Sequence, residues 1–553
     1  MTPPVAANSA SSRPASAAPS AGRATLMVMV FVMLSRVLGV VRDIAINHFY
    51  GRGIPTDIYT AAFRIPDVLQ YLVAGGALAT VFVPVFTEYW EKDQKKDAWR
   101  VFGTVISVVA VIAALLVVIM EFLAGPLARW MNPAIGIKGW MYSPEEMARQ
   151  QEDAWHQVAA LSRILLPAQW CFFVGGLMMG TLNARKNFLI PAVGPLVYNG
   201  GIIVAAIFFN QGGSTLAPLC WGAFIAACLG NFLLPVVTLI QMKAPFILGF
   251  DLQHPGVRKV GQLMIPALLG LSLSQLGFWI TGNFTNGVGA LSSLRIAYNL
   301  TQAPIGIFAQ ASAIVIFPTI AALAAREEWS DFRREIHYGI RRILFLTVPA
   351  SVLMAALAEP LVTAVYMSGK FTPADATATA AVLGWYSLGT FAWSAQAVLA
   401  RGFYARQNSK TPVIITTSMV FTFVVLCMVL PHLFPPTRSF LGLALALSIA
   451  GTLNMLIFFW RLQVEVGKLS LRTLGIASTK ITLAALAGGG VALLYLKLFW
   501  HGPQSGRMMG LMTVILAGAA ALAVYLGACL VLNVSELKTI RTMFQRRKTP
   551  TNA

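Results

Sequence analysis

Apolar runs of about 20 residues or more recur from one end of this chain to the other, with charge largely confined to the short segments between them. Out of water, a run of that length satisfies its backbone hydrogen bonds within itself only as a helix, and about 20 residues cross a bilayer. Fourteen such segments can be counted, at 25–48, 66–89, 100–125, 156–182, 189–209, 216–242, 259–284, 290–323, 340–367, 377–404, 411–431, 439–462, 473–498 and 508–533. Several contain Pro or Gly, which membrane helices tolerate. Of the 553 residues, 57% are hydrophobic and 11% charged, whereas a soluble domain carries about 25% charge. A disordered chain, a coiled coil and an ordinary soluble enzyme are excluded. What remains is an all-α polytopic membrane protein.

The formal charge of +20 would suggest nucleic acid in a soluble protein. Its distribution gives it another meaning. With the N-terminus placed inside, inside segments hold 27 Lys and Arg and outside segments hold 8. That is the positive-inside bias, and it puts both termini in the cytoplasm. Residues 1–24 are rich in Ala, Ser and Pro and read as a disordered cytoplasmic tail rather than a signal peptide. The five cysteines all lie in apolar runs, without a CxxC or Cys/His cluster. No HExxH, GxSxG or GxxxxGKS pattern occurs, so no metal, cofactor or catalytic group is expected.

The chain also repeats itself. Ala184-Arg185-Lys186-Asn187 leading to Pro191 and Ala405-Arg406-Gln407-Asn408 leading to Pro412 share A-R-x-N-x-x-x-P at an offset of 221. Pro84, Asp97 and Arg100 match Pro318, Asp331 and Arg334 at an offset of 234. Spans 1–6 (25–242) and 7–12 (243–465) are therefore expected to be two parallel copies of one six-helix lobe, with a substrate site between them. Spans 13 and 14 (466–533) are an addition, read as a lipid-tail groove, and 534–553 is a basic cytoplasmic tail.

Charge at membrane depth marks the candidate site. In Ser35-Arg36-Val37-Leu38-Gly39-Val40-Val41-Arg42-Asp43, Arg36 lies about 16 Å into the first span. An arginine there costs roughly 2.5–3.5 kcal/mol to insert unless it faces a polar cavity. Asp43 follows Arg36 by seven residues and shares its face, whereas Arg42 points about 100° away from Asp43, so one acid cannot neutralise both. Arg64 and Asp67 enter the second span, and Arg295 sits early in the eighth. Excess guanidinium in a cleft suits an anionic head group, and phosphate in particular.

These segments resemble the MurJ (MviN) lipid II flippases of the MOP superfamily. The resemblance is carried by S-R-V-L-G-V-V-R-D (35–43), T-D-x-x-x-x-A-F-R-x-P (56–66), L-N-A-R-x-N-F-x-I-P-A (182–192), Q-A-P-I-G-I-F (302–308), G-K-F-T (369–372) and G-F-Y-A-R-Q-N-x-K-T-P-V (402–413). It implies a fourteen-span, two-lobed transporter of the bacterial inner membrane, not an enzyme. Such a protein moves undecaprenyl-diphosphate-linked peptidoglycan precursor to the outer leaflet by alternating access. Its implied partners are lipid II, membrane lipids and cell-wall synthesis proteins, with no nucleic acid, and its working unit is a monomer. Carried over by position, Arg36, Arg42 and Arg64 would bind substrate, and Asp43, Asp57, Gly39, Asn299 and Gln302 would line or gate the cavity.

The chain departs from the family pattern at three places. Gln70, Tyr71 and Gly75 stand where many members are charged, Tyr298-Asn299 replaces Asp-Arg, and span seven has no carboxylate, with Thr281 near that point. Arg295, four residues before Asn299, is expected to supply the missing second-lobe charge. Two other readings remain open on sequence: a multidrug or other lipid-linked oligosaccharide exporter of the same superfamily, and a membrane-embedded polyprenyl-phosphate enzyme.

Overall fold

The computed structural model describes residues 18–70, 77–135, 143–185, 187–213, 215–245, 249–272, 276–285, 287–408, 410–467 and 469–537. Every regular element among them is a helix. The first half runs α1 (Ala18–Tyr50), α2 (Ile54–Leu69), α3 (Ala77–Glu91), α4 (Lys95–Met131), α5 (Pro144–Ala184), α6 (Leu189–Phe208), α7 (Ala217–Ala227), a π-helical segment (Cys228–Leu233) and α8 (Leu234–Gln241). The second runs α9 (Pro255–Ser272), α10 (Leu276–Asn283), α11 (Ala290–Pro304), a π-helical segment (Ile305–Gln310), α12 (Ala311–Ala325), α13 (Trp329–Ala356), α14 (Ala358–Tyr366), α15 (Pro373–Ala405), α16 (Lys410–Val429) and α17 (Phe440–Val466). The last two are α18 (Leu471–Phe499) and α19 (Gly506–Val531).

By length and composition, nine helices among the described residues can cross a membrane, and they fall on expected spans 3–6, 9 and 11–14. The other five expected spans do not meet that criterion within the described residues. Span 1 carries Arg36, Arg42 and Asp43 on α1. Span 8 is interrupted between α11 and α12 by the π-helical segment, and spans 2 and 7 lie partly outside the described residues. Span 10, α15, buries Thr379, Ser387, Thr390 and Ser394. Ser387 and Ser394 satisfy their hydroxyls on the carbonyls one turn back, at 2.7 and 2.8 Å.

Short local motifs set the helix ends, and they recur between the halves. Ser143 accepts from the Glu146 N–H while Glu146 accepts from the Ser143 N–H, with Pro144 in the first turn of α5. Thr372, Pro373 and Asp375 repeat that arrangement at the start of α15. Each is a capping box with proline where no N–H is needed. The A-R-x-N-x-x-x-P motif also has a common geometry. Arg185 lies over Trp90 at 4.7 Å, and Arg406 lies over Trp329 at 5.5 Å and pairs with Glu465 of α17. Asn408 then caps α16 by accepting the Thr411 N–H at 3.1 Å.

The buried apolar side chains gather mainly in four clusters, two centred on α1–α8 that also take in Leu291 of α11 and Val260 of α9, and two centred on α11–α19, against one of which Ile44 of α1 packs. α18 and α19 pack on each other and on α13 and α14. The Tyr525 hydroxyl donates to the Phe345 carbonyl (2.7 Å), Arg507 to the Ala364 carbonyl (2.9 Å) and Trp500 to Glu359 (2.9 Å). Their outward faces leave Leu483, Leu486, Leu494, Ile515 and Leu522 exposed, as expected of a surface in contact with lipid tails.

Candidate substrate cavity

α1 and α11 face each other across the two halves, and a cavity of about 380 Å³ lies between them. Its wall on α1 is Met33, Arg36, Val37, Gly39, Val40, Arg42 and Asp43. Asn299, Gln302 and Ala303 of α11, with Ile307 of the π-helical segment, form the other side. Six of the nine residues singled out from sequence thus line one cavity. Met33, Val37, Val40 and Ile307 are exposed, so the cavity is open past them.

Asp43 is the junction of the cluster. It is only 6% exposed. Its Oδ1 accepts from Nη2 and Nε of Arg42 at 2.8 and 3.0 Å, and its Oδ2 accepts from Asn299 Nδ2 at 2.9 Å. Arg295 Nη2 stands 3.8 Å from Oδ1. One carboxylate therefore joins α1 to α11 and faces two guanidiniums. This corrects the expectation drawn from helical geometry. The 100° between adjacent residues is spanned because a long guanidinium side chain can fold back along its own helix, so Asp43 pairs with its neighbour Arg42. Arg42 also reaches across to α6, where Nη1 donates to Asn199 Oδ1 at 3.0 Å.

Arg36, about two turns before Asp43, is exposed to the cavity, and no carboxylate among the described residues is within ion-pair distance of it. Arg295 stands one turn of α11 beyond Asn299. It lies over the Tyr59 ring at 5.7 Å and lines, with Asp43, Asn47 and Thr60, a separate void of about 20 Å³.

Asp57 and Arg64 lie apart from the cavity, near the end of the bundle that carries the α1–α2 turn. Asp57 accepts the Gly289 and Ser292 N–H groups at 2.6 and 2.7 Å, so a carboxylate of one half caps the α11 helix of the other. Arg64, 1% exposed, donates to the Met131 carbonyl, to Asn132 and to Asn283 (2.9 Å). Other contacts close the same end. The Lys370 N–H donates to the His48 carbonyl (2.8 Å), Lys370 Nζ to the Gly212 carbonyl (2.6 Å), and Arg52 to Ser293, with Asp375 3.7 Å away. At the opposite end Lys259 of α9 pairs with Glu88 of α3 at 2.7 Å, His254 stands 3.8 Å from Asp97, and Val260 is buried with apolar residues of α3 and α4.

Sequence reasoning missed Asn199, Arg52 and Lys370. Asn199 left a signal, a lone amide in an apolar run. Lys370 stood within the G-K-F-T run without a role assigned to it, and Arg52 left no signal, since a charge in a loop is ordinarily solvated. Tyr71 and Gly75, two of the departures from the family pattern, lie outside the described residues.

A many-helix membrane bundle in two packed halves, with a basic cavity between them sealed at one end, defines a transporter of the alternating-access class. The Lipid II flippase MurJ family model matches residues 46–516, beginning just after the Arg36–Asp43 segment. This chain belongs to that family. A Vibrio cholerae protein described as a probable lipid II flippase MurJ is 30% identical over 454 residues, covering 80% of this chain and 82% of its own. The lipid II flippase MurJ of Burkholderia cenocepacia is 28% identical over 448 residues, covering 80% and 83%. Among solved structures, a lipid II flippase MurJ in an inward closed conformation matches 90% of this chain and 98% of its own, with a TM-score of 0.72 at 21% identity. An inward-facing multidrug resistance MATE family transporter of the MOP superfamily shares the fold at a TM-score of 0.65 and 14% identity, covering 81% and 98%.

Proposed function

We propose that this chain flips lipid II, the undecaprenyl-diphosphate-linked peptidoglycan precursor, from the cytoplasmic to the outer leaflet of the bacterial inner membrane. It acts as a transporter, without chemical change to the lipid. The observation that carries the reading is the charge balance between α1 and α11. Among the described residues the one carboxylate within 4 Å of Arg36, Arg42 or Arg295 is Asp43, which meets Arg42 and Arg295. The excess positive charge suits a diphosphate, and guanidinium groups suit it geometrically. A multidrug exporter for cationic compounds would need the opposite sign.

The excess of Lys and Arg in alternate segments supports fourteen spans with both termini in the cytoplasm. In that orientation the sealed end faces outward and the cavity is the inward-facing site. Residues 25–242 and 243–465 then act as the two lobes. Arg36 and Arg42 bind the diphosphate from the first lobe and Arg295 from the second. Asp43, Gly39, Asn299 and Gln302 line the path, while Asp57 and Arg64 belong to the outer closure, where Arg64 meets substrate only once the lobes part. The polyprenyl tail lies along the exposed apolar face of α18 and α19. An apolar cavity of about 710 Å³ between α6 and α7 is the competing place for it.

The test is replacement of the resident flippase in a bacterium by this protein, with viability and outer-leaflet lipid II as readouts. The wild-type chain supports both and Arg36→Ala supports neither. Growth without appearance of lipid II in the outer leaflet overturns the reading.

A further inference from the structure

The Q-A-P-I-G-I-F run is among the features that resemble the family, yet only Gln302, Ala303 and Ile307 of it line the cavity. Its glycine has a different place. Gly306 lies in the π-helical segment Ile305–Gln310, where the α-helical ladder of span eight is interrupted. Such segments insert an extra residue and turn the backbone out of register, and they are frequent at functional positions. Here the interruption brings the backbone of residue 306 against the guanidinium of Arg36, on the other half of the molecule. A Cβ at position 306 would lie 2.2 Å from Nη1, 3.1 Å from Cζ and 3.4 Å from Nη2 of Arg36. The three nearest heavy atoms to that position all belong to the Arg36 head group. The missing side chain therefore makes room for that guanidinium.

We propose that Gly306 is a positioning residue for Arg36. It forms a cradle on α11–α12 that holds the guanidinium at the cavity wall, across the lobe interface, with its donors free for the diphosphate. Two features make this a useful cradle. Among the described residues no carboxylate is within ion-pair distance of Arg36 to fix its direction, unlike Arg42, which Asp43 orients. A long side chain with no partner would sample many rotamers and lose entropy on meeting substrate, so confinement before binding improves affinity. A carboxylate would confine it as well, but would compete with the phosphate for the same donors.

The atom that an added methyl meets is the far end of a flexible side chain. Gly306→Ala should therefore displace the guanidinium rather than unfold the helix. This inference rests on the reading of Arg36 as a diphosphate ligand, and the experiment separates the two. Binding of undecaprenyl diphosphate to the purified full chain is measured for wild type, Gly306→Ala, Arg36→Ala and the double variant, with thermal stability recorded for each. Gly306→Ala should weaken binding about tenfold in the wild-type background, as expected for one misplaced charge-assisted contact. In the Arg36→Ala background it should change binding less than about twofold, because the group it displaces is gone. Equal losses in both backgrounds, or no loss in the wild type, overturn the proposal. If Gly306→Ala does not fold, the proposal requires that Arg36→Ala restore folding, and failure in both backgrounds overturns it. If Arg36→Ala alone binds as wild type does, the site reading itself is wrong, and the cradle with it.

Discussion

Asp43→Asn is the substitution that most directly tests the arrangement of the cavity. The carboxylate accepts two hydrogen bonds from Arg42 and one from Asn299, and Arg295 is 3.8 Å away. An amide of the same shape keeps a neutral acceptor but removes the charge. A hydrogen bond involving a charged group contributes about 1.5–3 kcal/mol and a neutral one about 1 kcal/mol. The bonds from Arg42 lie within α1 and persist whether or not the halves part, so they leave the conformational equilibrium unchanged. The bond from Asn299 falls from a charged to a neutral acceptor and loses about 1 kcal/mol, or roughly fivefold in an equilibrium constant. Both Asn299 and Arg295 belong to α11, so the loss falls on the state in which α1 and α11 are joined. The conformational equilibrium should shift by about that factor toward the state with the halves parted at the sealed end. Spin labels at the exposed positions Arg149 and Ala374, one on each half, report this as a longer distance population in reconstituted protein. Transport should fall while the protein remains folded, since freed guanidiniums hold the diphosphate more tightly and the closed state is depopulated. An unchanged distance distribution together with unchanged transport would refute the reasoning.

Four further outcomes are expected. The double variant Arg36→Ala, Arg42→Ala should abolish lipid II transport, and Arg36→Lys, which keeps the charge but loses the fork, should retain part of it; full transport by the double variant contradicts the assignment. Arg295→Gln should reduce transport, and adding Asn299→Arg should restore it, because both positions reach Asp43; normal transport by Arg295→Gln alone removes Arg295 from the site. Asp57→Asn weakens the cap on α11 by about 1 kcal/mol, so amide exchange at residues 289–292 should quicken about fivefold, and no change would show that the cap carries no weight. Photo-crosslinking with a tail-labelled polyprenyl diphosphate should mark α18 and α19; marking confined to the walls of the α6–α7 cavity assigns the tail there instead.

Much of the architecture was legible in the residue order, because a bilayer leaves a long apolar run no alternative to a helix. Nine of the fourteen expected spans meet a length-and-hydropathy criterion as described helices. Of the other five, span 1 carries three charges, span 8 is interrupted by a π-helical segment and span 10 is rich in hydroxyls, all features of a polar path through a membrane, while spans 2 and 7 lie partly outside the described residues. The recurring A-R-x-N-x-x-x-P motif has a shared local geometry at Arg185 and Arg406, and capping boxes recur at Ser143 and Thr372. The first-span arginines stood out by their cost at membrane depth. Which acid serves which arginine did not follow from spacing along one helix, since Asp43 is shared with α11, more than 250 residues away in sequence. Arg64 and Asp57 looked like cavity residues by position, but tertiary packing placed them in the closure at one end. Gly306 carried no charge and no hydrogen-bonding side chain, so nothing in its own chemistry announced it. Only the approach of Arg36 from the opposite half shows why a side chain is absent there. The sequence by itself thus determined the helices and the sign of the charge, through local periodicity and the cost of burial. The tertiary structure decided the partners across the molecule, because the contacts of Asp43 with Asn299, Asp57 with Ser292 and Arg36 with Gly306 join residues that the chain holds far apart.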